Sequence, residues 1–151
     1  MRKIASFSVN HDKITEGIYV SRIDGDIITY DMRMRKPNMG DYIDNLTIHS
    51  LEHMFATYIR NSEIGANVIY FGPMGCQTGF YLLTRDTENS VVLSAVKGVL
   101  QKIIDHDGEM FGNTREECGN YRNLNLDAAK LESRRYLDIL NGKEVTFKYE
   151  E

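Results

Sequence analysis

The sequence has no apolar run approaching the roughly 18 residues needed to cross a bilayer, and it has no block of basic residues. The first absence argues against a membrane protein. The second, with a formal net charge of −4, argues against a partner held by phosphate contacts, such as a nucleic acid. The opening Met1-Arg2-Lys3-Ile4-Ala5-Ser6-Phe7 starts basic but lacks the apolar core of a signal peptide. The cytoplasm is therefore the expected location. Internal repeats, low-complexity tracts and Pro/Gly/Ser-rich linkers are also missing, so one domain over 1–151 is expected. Cysteine is scarce, with only Cys76 and Cys118. Without a secretory signal, a disulfide between them has no support, and two packed thiols are the plain alternative to a chemical role.

What is present resembles an ordinary globular chain. The 42% hydrophobic share over 151 residues suffices for a core that buries about two thirds of the unfolded surface. Residues Gly17 to Ile23 alternate weakly, Asp24-Gly25 offers a tight turn, and Ile27 to Met34 resume a β-rich run until Pro37-Asn38-Met39-Gly40 breaks it. Leu51, Met54, Phe55, Tyr58 and Ile59 then recur at helical spacing. Val68 to Phe71 reads as a short buried strand, with Gly79 to Thr84 as its hairpin partner. A second helix spans Ser90 to Ile104, and a loop runs from His106 to Tyr121. Asn125 can cap a third helix through Leu140, stopped at Asn141-Gly142. Lys143 to Tyr149 fits either a last strand or an extended tail. Paired strands with intervening helices, and no repeated βαβ unit, predict an α+β fold: a largely antiparallel sheet packed against three to four helices.

The chemistry begins at His49-Ser50-Leu51-Glu52-His53. Two histidines four apart on a helix lie one turn from each other, so both imidazoles can reach one metal ion. Glu52 borders the same site, giving a Lewis acid with a base beside it. Such pairs also occur on ordinary helices without any metal. The His-x-x-Glu-His order matches the inverted zincin signature. A catalytic ion needs a third protein ligand and an open position, and His11, His106, both cysteines and many carboxylates are candidates. Cys118 is favoured, because Gly119 would let the loop wrap closely, and His, His, Cys suits zinc or ferrous iron. His106, flanked by Asp105 and Asp107, reads as a solvated helix end.

A second reactive group is Cys76, on the glycine-rich turn Gly72-Pro73-Met74-Gly75-Cys76-Gln77-Thr78-Gly79 after a buried strand. A cysteine near a cation or free backbone N–H groups serves as an acid or base near neutral pH. The competing reading is a packed thiol in a tight turn. As a fourth ligand, Cys76 would instead make the metal site structural.

Taken together, these residues resemble the LuxS family of S-ribosylhomocysteine lyases. The likeness runs nearly end to end. It takes in Ser6-Phe7 with His11, Tyr30-Asp31-Met32-Arg33, Lys36-Pro37-Asn38, His49-x-x-Glu52-His53, Pro73 to Gly79, and Cys118-Gly119-Asn120-Tyr121. The resemblance implies one divalent metal held by His49, His53 and Cys118: ferrous iron natively, with zinc or cobalt as substitutes. It implies Glu52 and Cys76 as the acid/base pair, and Ser6, His11 and Arg33 as contacts to the ribose. It further implies a homodimer with active sites at the interface. The activity implied is cleavage of S-ribosylhomocysteine to homocysteine and 4,5-dihydroxy-2,3-pentanedione, a quorum-signal precursor, in the methyl cycle. One departure stands out: Tyr70 occupies the position where family members often carry an Asp for the homocysteine end. The alternatives are an inverted-zincin metallopeptidase, which would want a downstream glutamate ligand, and a non-catalytic metal-binding descendant.

Overall fold

The computed structural model describes residues 1–150. Four antiparallel strands form the sheet: β1 (Gly17–Asp24), β2 (Ile27–Arg33), β3 (Val68–Pro73) and β4 (Gly79–Arg85). Their spatial order is β1-β2-β4-β3, so the second hairpin adds its later strand beside β2. Strand alternation sorts the side chains. Tyr30, Met32, Phe80 and Leu82 are fully buried and point into the main core. Asp31, Arg33 and Tyr81 point to the opposite face, where Tyr19, Asp31, Tyr81 and Gly72 stand in one cross-strand row. The first hairpin turns one residue later than expected: Ile27 pairs with Asp24, leaving Gly25 and Asp26 as its two loop residues. Gly25 takes φ +62°, the left-handed backbone that such two-residue turns require.

Helices α2 (Asn45–Arg60), α3 (Asn89–Ile104) and α4 (Leu126–Asn141) supply the other half of the core. In α2 the buried residues are Ile48, Ser50, Leu51, Met54, Phe55 and Ile59, the stripe that helical spacing predicts. His49 and His53 fall just beside it, half-buried. Asn125 caps α4 as expected, its side chain accepting from the Ala128 amide. Two elements escape sequence reading. A four-residue helix α1 (Ala5–Ser8) and a three-residue 3-10 turn (Gly65–Asn67) are too short to show a period. The Lys143–Tyr149 segment is an extended tail with a single parallel bridge, Tyr19 to Phe147. Phe147 sits at φ +62°, which breaks strand geometry and limits pairing to that one point. Among the described residues, no helix is long and apolar enough to cross a membrane.

The start of α2 matters because it carries the histidines. The Asp44 carboxylate accepts from the Thr47 backbone N–H at 2.8 Å, satisfying a donor that the helix leaves free. The Thr47 side chain first, and this backbone bond second, hold the Asp44 carboxyl below the usual carboxylate range. A depressed folded value stabilises the protein above the unfolded pKa, and this contribution vanishes as pH falls through the folded one. Asp44→Ala is therefore expected to cost about 0.5–2 kcal/mol at neutral pH. Urea melts should show the gap from the unmodified protein closing below about pH 4.

Candidate metal centre

Two helical residues and one loop residue converge. The ligand atoms of His49, His53 and Cys118 all lie within 4.8 Å of one another, and the Cys118 sulfur is 3.4 Å from His49 Nε2. Adjacent donors of a tetrahedral ion with bonds of about 2.0–2.3 Å sit about 3.5 Å apart. The two imidazole rings stand nearly perpendicular, at 88° with centroids 4.7 Å apart, so each presents a nitrogen to a shared point.

The surroundings decide which nitrogen that is. His49 Nδ1 donates to the Asn123 carbonyl at 2.8 Å, and His53 Nδ1 donates to the Phe111 carbonyl at 2.9 Å. Each bond places the proton on Nδ1 and leaves Nε2 as a lone-pair donor, the arrangement metal-binding histidines use. The Asn123 amide nitrogen also comes within 3.3 Å of His49 Nδ1, but it donates over the shorter distance of 2.8 Å to Asn45 Oδ1. The Asn120 N–H approaches the Cys118 sulfur at 3.4 Å, which suits a thiolate better than a thiol. Two neutral imidazoles and one thiolate, all half-buried, fit a borderline or soft divalent ion such as Fe(II) or Zn(II). The third ligand is sulfur rather than the downstream glutamate an inverted zincin would use, so the peptidase alternative loses its ground. Both cysteines are free; Cys118 has its place in this cluster, and no disulfide forms.

Gly119 and His106 both depart from expectation. Gly119 is not required for the loop to wrap, since a Cβ there would meet open space. The demanding glycine is Gly112, at φ +66°, where a Cβ would lie 2.8 Å from His53 Nδ1. His106 is not a solvated helix end. Tyr58 Oη lies 2.7 Å from its Nδ1, its Nε2 lies 2.8 Å from the Glu109 carbonyl, and its ring packs on Phe111. Through Phe111 this cluster steadies the carbonyl that orients His53. Nothing periodic in the loop signals Gly112 or Phe111; only the fold brings them under the ligand. Gly112→Ala is expected to rotate His53 and weaken metal retention about 10–100-fold, read by chelator competition. Retention at the unmodified level would show that the ring accommodates the methyl group.

Apart from Glu52, the remaining candidates lie away from these three ligands. Cys76 is exposed, and it shares a cleft with Ser6, His11 and Tyr81. Its sulfur lies 3.0 Å from Thr78 Oγ1, which accepts from Arg33 Nη1 at 2.9 Å. Arg33 itself is buried and gripped by both Asp31 oxygens, at 3.0 and 2.6 Å. Burial is the largest single influence on this guanidinium and pulls its pKa down. Asp31, by hydrogen bond and charge, outweighs it with smaller help from Cys76 and Tyr149, so the value ends above the ordinary one. Glu52 lies half-buried between the two histidines. Tyr70 is half exposed, with its hydroxyl over Gly72 where a Cβ would sit.

Comparison with known proteins adds a second line. The family model described as S-Ribosylhomocysteinase (LuxS) matches residues 4–146. The chain is 44% identical over 156 aligned positions to the S-ribosylhomocysteine lyase of Borreliella afzelii (strain PKo), with 99% of each chain covered. It is 42% identical to the protein of that name from Finegoldia magna and 39% identical to that from Clostridium acetobutylicum, each with 94% of both chains covered.

Proposed function

The chain belongs to the S-ribosylhomocysteinase (LuxS) family, and from that membership we propose that it cleaves S-ribosylhomocysteine to homocysteine and 4,5-dihydroxy-2,3-pentanedione. The observation that carries the reading is the convergence of His49, His53 and Cys118 on one point with both Nε2 lone pairs free. In the opened sugar, the aldehyde is far from the carbon–sulfur bond. The carbonyl must migrate along the chain, by proton removal and return at neighbouring carbons, before β-elimination can expel the thiolate. A divalent ion held by the three ligands, Fe(II) by preference, would supply Lewis acidity toward the sugar oxygens.

The chain's own residues move the protons. Cys76 takes the carbon-bound proton in the isomerisation steps. Glu52 moves protons among the oxygens and in the elimination. Ser6 and His11 hold ribose hydroxyls, and their shared cleft with Cys76 supports this. Arg33 acts at the same end, close to Cys76. The homocysteine end is read without a carboxylate at Tyr70.

The active unit is a homodimer, with the substrate bound where two chains meet. The Ser6–His11–Cys76 cleft includes none of the metal ligands, and Ile4, Phe7 and Tyr70 around this face are 56%, 69% and 52% exposed. Apolar side chains this open favour cover by a second copy. The working form is one catalytic domain per subunit, placed in the cytoplasm, where thiols stay reduced. The direct test incubates anaerobically purified, metal-replete protein with S-ribosylhomocysteine and, separately, with peptide substrates. Thiol release without peptide cleavage is expected; metal-loaded protein that releases no thiol overturns the reading.

A further inference from the structure

The tail beyond the matched region is tied to the reactive cysteine. Tyr149 lies past residue 146, where the family match ends, yet its ring stacks on Tyr19 with centroids 4.8 Å apart. The Val20 N–H donates to the Phe147 carbonyl at 2.8 Å, so strand β1 fixes where the tail lies. From that position the Tyr149 hydroxyl donates to Asp31 Oδ2 at 2.7 Å. Asp31 is 1% exposed and holds Arg33 through both oxygens. Arg33 points its remaining terminal nitrogen at Thr78 Oγ1, 2.9 Å away. A guanidinium can only donate, so the Thr78 oxygen accepts there and its own hydrogen is free. The nearest acceptor for that hydrogen is the Cys76 sulfur at 3.0 Å, ahead of Met74 Sδ at 4.0 Å.

We infer that Tyr149 is a positioning residue for Cys76, acting through Asp31, Arg33 and Thr78. Each link up to Thr78 has one direction, and at the last the hydroxyl donates whenever the sulfur stands ready as a base. The phenol fixes the plane of a buried carboxylate, the carboxylate fixes the guanidinium, and the guanidinium turns the threonine hydroxyl toward sulfur. Burial first, then the charge and hydrogen bond of Asp31, push the Tyr149 phenol far above its ordinary pKa. It remains a neutral donor at any working pH. Without it, Asp31 Oδ2 keeps only the Arg33 bond, and the carboxylate and guanidinium can turn together away from Thr78.

The activity arm of the test rests on the lyase reading; the chemical arm does not. In the full-length, metal-replete enzyme, Tyr149→Phe keeps the stack on Tyr19 and removes one O–H. It should lower kcat for thiol release about three- to tenfold with KM nearly unchanged. The iodoacetamide alkylation rate of Cys76, read by mass on its peptide, should shift by a similar factor. Thr78→Val cuts the same path beside the sulfur, so the double variant should behave like Thr78→Val alone. Additive losses, or a Tyr149→Phe protein with unmodified kcat and alkylation rate, overturn the inference. Should the unmodified enzyme release no thiol, the lyase reading falls, and the alkylation rates alone decide the role of Tyr149.

Discussion

A Cys118→Ala protein is expected to fold normally, to retain no tightly bound divalent ion, and to lose about three orders of magnitude in thiol release. The size follows from the role. Metal-based stabilisation of charge on a carbonyl or enediolate oxygen is worth several kcal/mol, and each 1.4 kcal/mol is about tenfold in rate. Two imidazoles alone leave the ion without the thiolate that makes this set strong for Fe(II) or Zn(II). Folding should survive, because other contacts hold the loop around Cys118. Thr114 closes the preceding turn through backbone bonds from Glu117 and Cys118, and Asn123 is anchored to His49 and Asn45. Asn125 takes a hydrogen bond from Ala128 and donates its own N–H to Ser50 Oγ at 2.8 Å. Metal analysis and far-ultraviolet circular dichroism separate the two effects. A folded Cys118→Ala protein with one tightly held ion and full turnover would assign the third ligand to another residue.

How much of this arrangement the sequence discloses depends on how local each feature is. His49, Glu52 and His53 are legible because one helical turn brings them together, and the apolar stripe of Leu51, Met54, Phe55 and Ile59 shows which way the helix faces. The four strands are legible to within a residue or two, since alternation and turn residues are short-range signals. Cys118 reaches His49 across 69 positions. Spacing cannot supply that contact; donor chemistry favours Cys118 among several candidates, and the family resemblance implies it. Gly112, the Phe111 carbonyl and the His106 cluster lie in a loop without period, so their support of His53 appears only in three dimensions. Tyr149 is further still, 118 positions from Asp31. An aromatic two residues from Phe147 in a short, mostly polar tail gives no sign that it covers a buried ion pair. Local patterns thus announce the chemistry, while the groups that orient it come from long-range packing.

Cys76→Ala and Glu52→Gln should each lower thiol release by about 10²–10⁴, the usual contribution of a general acid or base, while metal content stays at the unmodified level. Neither side chain is among the three ligands, so a loss of activity with the ion retained isolates proton transfer from Lewis acidity. The two variants should also fail differently. Cys76 is assigned to carbon-bound protons, so Cys76→Ala should abolish exchange of substrate carbon-bound hydrogen into deuterated solvent. Glu52 is assigned to protons on oxygen and to elimination, so Glu52→Gln should retain part of that exchange while releasing little thiol. Nuclear magnetic resonance of the recovered substrate reads the exchange, and a thiol reagent reads the elimination. Near-normal turnover in either variant, with metal bound, removes that residue from the mechanism. Full exchange in Cys76→Ala with lost exchange in Glu52→Gln would reverse the division of labour. That reversal would place the carbon base on helix α2, between the metal-binding histidines, and leave the exposed sulfur to the oxygens.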